Sequence, residues 1–145
     1  MFKHFDQRLY DSDDNAKELW IKYLTDVKGY KAWVNPDQFG IDVLAEKAGE
    51  QYSFEVEVKH NWKGQAFPFR SVHFSARKRK FALDNGRNFF IMLNHERDYA
   101  LAVSGATMLN SPVVSKDTIY TKGEQFIEVA TTQCSFMPVT FVTTS

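Results

Sequence analysis

The segment 51–60 constrains the fold of this chain more than any other, because its side chains alternate sharply in character. The apolar members are Phe54, Val56 and Val58, and the charged members are Glu55, Glu57 and Lys59. Successive side chains of a β-strand point to opposite faces, so the alternation predicts a strand with one apolar face and one charged face. Three charges in line on the face of a strand inside a sheet have to meet water, partner groups or a metal ion.

The preceding segment, residues 40–47, contains an aspartate where a strand disfavours one. Its other residues are mostly apolar and surround Asp42. Turn residues at 48–50 predict that the two segments pair as a hairpin, which puts Asp42 roughly opposite 55–59 and on the face of Glu57. Two carboxylates that converge in this way form a hard oxygen site suited to Mg²⁺ or Mn²⁺, and a neighbouring lysine can stabilise charge that develops at a phosphorus centre.

Periodicity elsewhere predicts a mixed α/β chain. Apolar residues recur at three- and four-residue spacing over 13–28, which predicts a helix capped by Ser12 or Asp13 and ended by Gly29. A second helix is predicted over 75–85. The predicted strands span residues 30–34, 40–47, 51–60, 69–73, 88–94 and 98–103, with weaker candidates at 117–122 and 126–130. This order predicts one α/β domain over residues 1–145, with a mixed central β-sheet flanked by helices.

Composition narrows the class of protein further. The 145 residues include 18 basic and 18 acidic side chains, so a nucleic-acid-binding role cannot rest on net charge and needs local clustering. The single cysteine, Cys134, excludes an internal disulfide and a multi-cysteine zinc site, and its flanks favour a buried apolar role over a reactive thiol. The N-terminus lacks the apolar core of a signal peptide, and no apolar run approaches the ~20 residues of a membrane span. A cytoplasmic protein with no membrane partner is expected.

Basic residues cluster over 69–81, directly after a loop that contains Trp62. An α-helix over the second half of this segment puts Arg77 near Lys80 and Lys78 apart from both. In a chain of zero net charge, the cluster supplies the local positive field that a phosphate backbone needs. Trp62 itself is expected to pack on the core rather than to stack on a base. The residues expected to contact nucleic acid are Arg70, Arg77, Lys78, Lys80 and, just upstream, Lys63.

The arrangement of Asp42 and the Glu57-Val58-Lys59 tripeptide resembles the motif of the PD-(D/E)XK nuclease superfamily, in which an aspartate on one strand precedes Glu-x-Lys on the next. The resemblance covers residues 13–94. It implies a restriction-endonuclease-like fold with an α-β-β-β-α-β core. It also implies that Asp42, Glu57 and the Val58 carbonyl bind Mg²⁺ or Mn²⁺, and that Lys59 acts in catalysis.

The same resemblance implies further site residues on the two helices. Many members place a carboxylate of the first helix at the metal, and Glu18 fits that role by position. The helix after the tripeptide often carries a basic residue that reaches the site, for which Arg77 is the first choice and Lys80 the second. Two alternatives stay open. Asp37, in a Pro-Asp dipeptide within a turn, competes for the role of the metal-binding aspartate, and Glu55 is a ligand, a partner of a ligand or an exposed residue.

These features together predict a divalent-metal-dependent endonuclease that hydrolyses DNA phosphodiester bonds. The compact size resembles that of Holliday-junction resolvases and small phage nucleases, which act as homodimers or with partners. Structure-selective or nonspecific cleavage therefore fits better than sequence-specific cleavage. The alternative is a catalytically inactive nucleic-acid-binding or assembly module of the same fold.

Overall fold

The computed structural model describes residues 15–140 and begins with helix α1 over residues 15–26. The predicted caps Ser12 and Asp13 lie outside the described residues. Gly29 ends the helical segment as predicted, because it has a φ of 76° and lets the Tyr30 N–H donate to the Leu24 carbonyl at 2.8 Å. One side of α1 is buried at three- and four-residue spacing, at Ala16, Trp20, Tyr23 and Leu24.

A six-stranded sheet forms the centre of the fold. Its strands are β1 (Lys31–Val34), β2 (Val43–Lys47), β3 (Glu50–Val58), β5 (Asn88–Leu93), β6 (Tyr99–Ser104) and β9 (Ser135–Pro138), and they lie side by side in that order. Neighbouring strands are antiparallel except β3 and β5, which run parallel. A parallel pair needs a long crossover, which here is the chain between β3 and β5. The predicted fold class, an α/β protein with a mixed central sheet, is confirmed.

A second sheet, three-stranded and antiparallel in the order β4-β8-β7, packs against the face of the central sheet opposite α1. Its strands are β4 (Ser71–Ser75), β7 (Val113–Lys116) and β8 (Glu124–Ala130), and this layer also contains the short helix α2 (Gly105–Asn110) and a 3₁₀ helix, Thr131–Gln133. The strand predicted over 117–122 is wrong. The Thr118 hydroxyl there accepts the N–H groups of Tyr120 and Thr121, at 3.1 and 3.0 Å, so a side-chain turn replaces the strand.

The hairpin of β2 and β3 determines which side chains share a face. Its turn residues Ala48 and Gly49 both have positive φ, 53° and 79°, as a two-residue type I′ turn requires. The resulting register pairs Val43 with Phe54. The predicted hairpin is therefore confirmed, and its charged face points toward the second sheet.

Two hydrophobic cores lie on opposite faces of the central sheet. The first joins α1 to the apolar side of β3, including Phe54 and Val56. The second joins the central sheet to the three-stranded sheet and contains Trp62, which has no exposed surface. The predicted core packing of Trp62 is thus confirmed. No helix within residues 15–140 is long and apolar enough to cross a membrane.

The helix predicted over 75–85 is instead a short 3₁₀ helix, Ala76–Phe81, within the crossover. Asn88, at the start of β5, ends it. The Asn88 amide donates to the Phe81 carbonyl at 3.0 Å and to the Ser53 hydroxyl at 2.9 Å, and its oxygen accepts the Leu83 N–H at 2.9 Å. A Cβ at Gly105 would lie 2.1 Å from that oxygen, so a glycine is required beside it. Asn88 thus positions the end of the 3₁₀ helix on the central sheet.

Replacing Asn88 with alanine should lower the free energy of unfolding by about 2–4 kcal/mol, because the buried Asn88 amide no longer bonds to the Leu83 N–H, the Phe81 carbonyl and the Ser53 hydroxyl. Urea unfolding of the two proteins measures the difference. Asn110→Ala is the matched control, since its exposed amide donates only to the Ala106 carbonyl of its own helix. Equal destabilisation by the two substitutions would contradict the anchoring role of Asn88.

Cys134 follows the second 3₁₀ helix and packs beside the second core, with its Sγ 3.5 Å from the Ala130 carbonyl. Burial raises the pKa of its thiol to about 11. The neutral thiol is then the dominant form at pH 8, and the thiolate population should be about 100-fold below that of a thiol at the ordinary value.

Alkylation of Cys134 by iodoacetamide should therefore be slow at pH 8 and should accelerate as the pH approaches 11. Mass spectrometry over time measures the rate, and the urea-unfolded chain is the control. Equal rates for the folded and unfolded chain at pH 8 would contradict this prediction.

Candidate active site

Asp42 lies directly before β2 and is held by the backbone of β3. Its Oδ2 accepts the Val56 N–H at 3.0 Å, and its own N–H donates to Oε1 of Glu55 at 3.0 Å. The pairing of Val43 with Phe54 puts Asp42 across from Glu55. The structure therefore brings Asp42 directly to Glu55, whereas Glu57 lies two residues further along the same face of β3.

Asp37, the alternative aspartate, does not lie with Asp42, Glu55 and Glu57. It lies in an exposed turn, where its Oδ1 accepts the Phe39 N–H at 3.0 Å and its own N–H donates to Asn35. Short polar side chains commonly stabilise turns in this way. The literal Pro-Asp dipeptide thus has a local structural role that accounts for its sequence.

The ammonium of Lys78 lies between the carboxylates of β3. It donates to Oε2 of Glu57 and lies 3.5 Å from Oε2 of Glu55. Burial alone would lower the pKa of Lys78, but the attraction of Glu57, then of Glu55 and Asp42, outweighs it and raises the pKa. The Lys78 ammonium is thus held between Glu55 and Glu57.

Glu55 is the most enclosed of these carboxylates, with 6% of its surface exposed. Burial, and then repulsion from the Asp42 carboxylate, raise the pKa of Glu55 to about 7, although Lys78 opposes the shift. Of the readings left open for Glu55, an exposed position is excluded. Because its carboxylate accepts the Asp42 N–H, Glu55 belongs to the candidate site together with Asp42 and Glu57.

Lys59 follows β3 at the edge of the group. Its N–H continues the pairing with β5 by donating to the Leu93 carbonyl at 2.8 Å, and its Nζ lies 5.0 Å from the centroid of the Phe69 ring. Burial lowers the pKa of Lys59; Glu57 acts against this shift and Lys116 adds to it. Lys59 is therefore electrostatically linked to Glu57, as the tripeptide predicts.

Helix α1 contributes a lysine rather than a carboxylate. Lys17 Nζ lies 3.4 Å from Oδ1 of Asp42, whereas Glu18, the predicted candidate ligand, is exposed. Consecutive side chains of a helix differ by about 100° in direction. With Ala16 and Trp20 buried, Lys17 lies at the edge that faces Asp42 and Glu18 points away from it. In this arrangement Glu18 is not part of the group.

The choice of Arg77 and Lys80 as the basic residues that reach the site is wrong. Both are exposed, whereas Lys78 and Phe81 are partly buried. The reason is the 3₁₀ geometry, with about three residues per turn, which puts residues three apart on one side. A repeat of three residues puts Arg77 and Lys80 on one side of the 3₁₀ helix, and the side that faces the carboxylates belongs to Lys78.

Arg70 and Lys63 are exposed residues of the segment between β3 and β4. The Arg70 carbonyl accepts from the N–H and the hydroxyl of Thr131, and Lys63 lies near Glu96, whose pKa it helps to lower. The role of the Val58 carbonyl as a metal ligand stays a prediction. The Val58 side chain lies on the opposite face and packs beside the first core.

The donor chemistry of this group suits a hard divalent cation, because Asp42, Glu55 and Glu57 offer only carboxylate oxygens. No group of three or more acidic, histidine or cysteine side chains within residues 15–140 is arranged to hold a metal ion. The ammonium of Lys78 lies between Glu55 and Glu57. The carboxylate oxygens therefore fit a divalent metal by type, while two of the three carboxylates are already paired with this lysine.

Comparison with known proteins gives a limited result. No protein-family model matches the chain, and no curated protein matches it. Among solved structures, the chain is similar to Hjc, a Holliday junction resolvase of the archaeal hyperthermophile Archaeoglobus fulgidus, with a TM-score of 0.43 and 14% sequence identity. The similarity extends over 86% of this chain and 87% of that chain. Function therefore has to be argued from the side chains of the site.

Replacing Lys78 with methionine should lower the free energy of unfolding by about 1–3 kcal/mol, because Glu55 and Glu57 then share a partly buried face without their cation. Urea unfolding in EDTA measures the change. Lys80→Met is the matched control, two residues along the same 3₁₀ helix but exposed, and should cost less than about 0.5 kcal/mol. A larger loss from the control would overturn the assignment of Lys78 as the central cation.

Proposed function

We propose that this protein is a divalent-metal-dependent nuclease of the PD-(D/E)XK type that hydrolyses phosphodiester bonds of DNA. The observation that carries the proposal is the convergence of Asp42, Glu55 and Glu57 on one face of β2 and β3, with Lys59 beside them. A stable fold does not require Asp42, Glu55 and Glu57 to share one face of the sheet. Their carboxylate oxygens are, however, the ligands that Mg²⁺ and Mn²⁺ prefer.

In this proposal, Asp42 and Glu57 hold the metal together with the Val58 carbonyl, and Glu55 joins them through its contact with Asp42. When bound there, the metal would supply Lewis-acid chemistry to a water molecule and a phosphate oxygen. Lys59 donates a hydrogen bond to the attacking water or to a phosphate oxygen.

Lys78 has two roles in the proposed enzyme. In the free protein its ammonium neutralises the carboxylates and keeps them together. With a metal held by the carboxylates, the ammonium would be free to contact a substrate phosphate. The 3₁₀ helix would then supply a basic residue to the site, as predicted, but through Lys78 instead of Arg77.

DNA would approach over the exposed basic residues around this face. Arg77 and Lys80 project from the 3₁₀ helix, and Arg70 and Lys63 flank β4 and the loop before it. These cations are sequence-independent phosphate contacts, so they favour structure-selective or nonspecific cleavage by one chain or by a homodimer. Binding should weaken steeply as the salt concentration rises.

A plasmid-nicking assay with Mg²⁺ or Mn²⁺ tests the proposal. Asp42→Asn, Glu57→Gln and Lys59→Met should each lower the rate by about 100-fold or more, because each removes a metal ligand or the positioned donor. EDTA should abolish nicking. Asp37→Asn makes the same chemical change in an exposed turn and should leave the rate unchanged. Full activity of Asp42→Asn, or nicking that resists EDTA, would refute the assignment.

A second candidate function is a DNA-binding or assembly module of the same fold without catalysis. The charge balance favours it, because Lys17, Lys59 and Lys78 together offset the three carboxylates without a metal. Calorimetric titration with Mn²⁺ separates the two functions. A module of this kind would give no heat of Mn²⁺ binding, for the wild type or for Lys78→Met, and would still bind DNA in a salt-dependent way.

A further inference from the structure

An aromatic pocket of about 350 Å³ is lined in part by Phe69, whose ring contacts the Lys59 ammonium. Its size lies at the lower end of the range for small-ligand sites, roughly 300–1,000 Å³. No acidic side chain lines it. The walls are the rings of Phe67, Phe69, Tyr99 and Phe136, and the polar groups of Gln65 and Thr132 lie at its margin.

The pocket lies on the same face of the central sheet as the carboxylates. Strand register places Glu57 beside Met92, Met92 beside Leu101, and Leu101 beside Phe136, in one row across four strands. Strands lie about 4.8 Å apart, so this row places Phe136 about 14 Å from Glu57. The loop that contains Phe69 approaches the space between Glu57 and Phe136, because the Phe69 ring contacts Lys59.

The rings are held in place by the buried indole of Trp62. Phe67, Tyr99 and Phe136 each meet this indole edge-to-face, with centroid distances of 5.1, 6.3 and 6.2 Å. Phe69 in turn packs edge-to-face on Phe67 at 5.6 Å. Edge-to-face packing is a favourable geometry for rings, so the pocket is a built structure.

Two of its rings nevertheless stay open to solvent. Phe69 is 44% exposed and Phe136 is 37% exposed, although both are large and apolar. The adjacent groups are cationic: Lys59 lies over Phe69 at 5.0 Å, and the exposed Arg70 follows Phe69 in the chain. Rings beside cations, with no acidic lining, suit a ligand that has both a flat π-surface and negative charge.

We propose that this pocket binds an unstacked nucleobase of the DNA strand whose phosphate contacts Lys59. The proposal rests on the proposed function and deepens it, because it names the substrate class: DNA with unpaired nucleotides next to a duplex, such as a flap. The base stacks on Phe69 and Phe136, and Gln65 and Thr132 can hydrogen-bond to its edge. A base within continuous duplex first has to be flipped out of its stack, which disfavours duplex.

The test is a flap DNA that carries 2-aminopurine at the first unpaired position, bound in EDTA so that no cleavage occurs. Stacking on a ring should quench the fluorescence of 2-aminopurine when wild-type protein binds. Affinity for the flap should exceed that for the matched duplex. Phe69→Ala and Phe136→Ala should each weaken flap binding by about 5- to 150-fold and leave duplex binding unchanged.

Controls separate a binding role from loss of structure. Phe69→Tyr should retain the quench, because it keeps the ring. Phe39→Ala removes a ring that is 79% exposed outside the pocket and should change nothing. Circular dichroism establishes that each variant is folded. Phe136→Ala removes a pocket ring without changing a contact of the Lys59 ammonium, because among the pocket rings only Phe69 contacts it.

Equal affinity of the wild type for flap and duplex, or equal loss for both DNAs in Phe69→Ala and Phe136→Ala, would overturn the pocket assignment. A parallel cleavage assay of the same flap with Mn²⁺ reports on the proposed function separately. Quenching without cleavage would retain the pocket and refute the nuclease. Cleavage without quenching would retain the nuclease and refute the pocket.

Discussion

The ion pairs of Lys78 with Glu55 and Glu57 hold the candidate site together. Carboxylates on the covered face of a strand lose hydration and repel each other, so they need a nearby cation. Lys78 reaches them because Asn88 anchors the end of its 3₁₀ helix to the central sheet. Asp42 reaches Glu55 because a turn with positive φ at both central residues sets the hairpin register. Backbone features outside the site thus determine its charge balance.

Much of the fold follows from local patterns in the sequence. The apolar stripe of α1, the alternation in β3 and the turn at Ala48-Gly49 are local signals, and the structure confirms each. The failures depend on contacts between distant residues. The segment 75–85 has an α-helical pattern, but it forms only six residues of 3₁₀ helix, and Asn88 from the next strand binds the carbonyl at its end. Such a constraint comes from the tertiary fold and is not encoded in the segment itself.

The candidate site, like the fold, could be predicted from the sequence only in part. Alternation put Glu55, Glu57 and Lys59 on one face, and the hairpin brought Asp42 to that face. Which glutamate meets Asp42 depends on register, and a shift of two residues changes the partner without changing the face. The misassignment of Arg77 followed from the assumed helical period, since about three residues per turn brings Lys78 inward instead. The carboxylates were therefore predictable, and their central cation was not.

The parallel pairing of β3 with β5 has a consequence for how the chain folds. Asp42 and Glu55 are 13 residues apart within a hairpin, whereas Lys78 follows Glu57 by 21 residues along the crossover. Closing the longer loop has the larger entropic cost, and pairing of distant strands is the slower event. Glu55 and Glu57 therefore lack the Lys78 ammonium until the crossover closes. This part of the charge balance depends on the complete sheet, which links the electrostatics of the site to the cooperativity of folding.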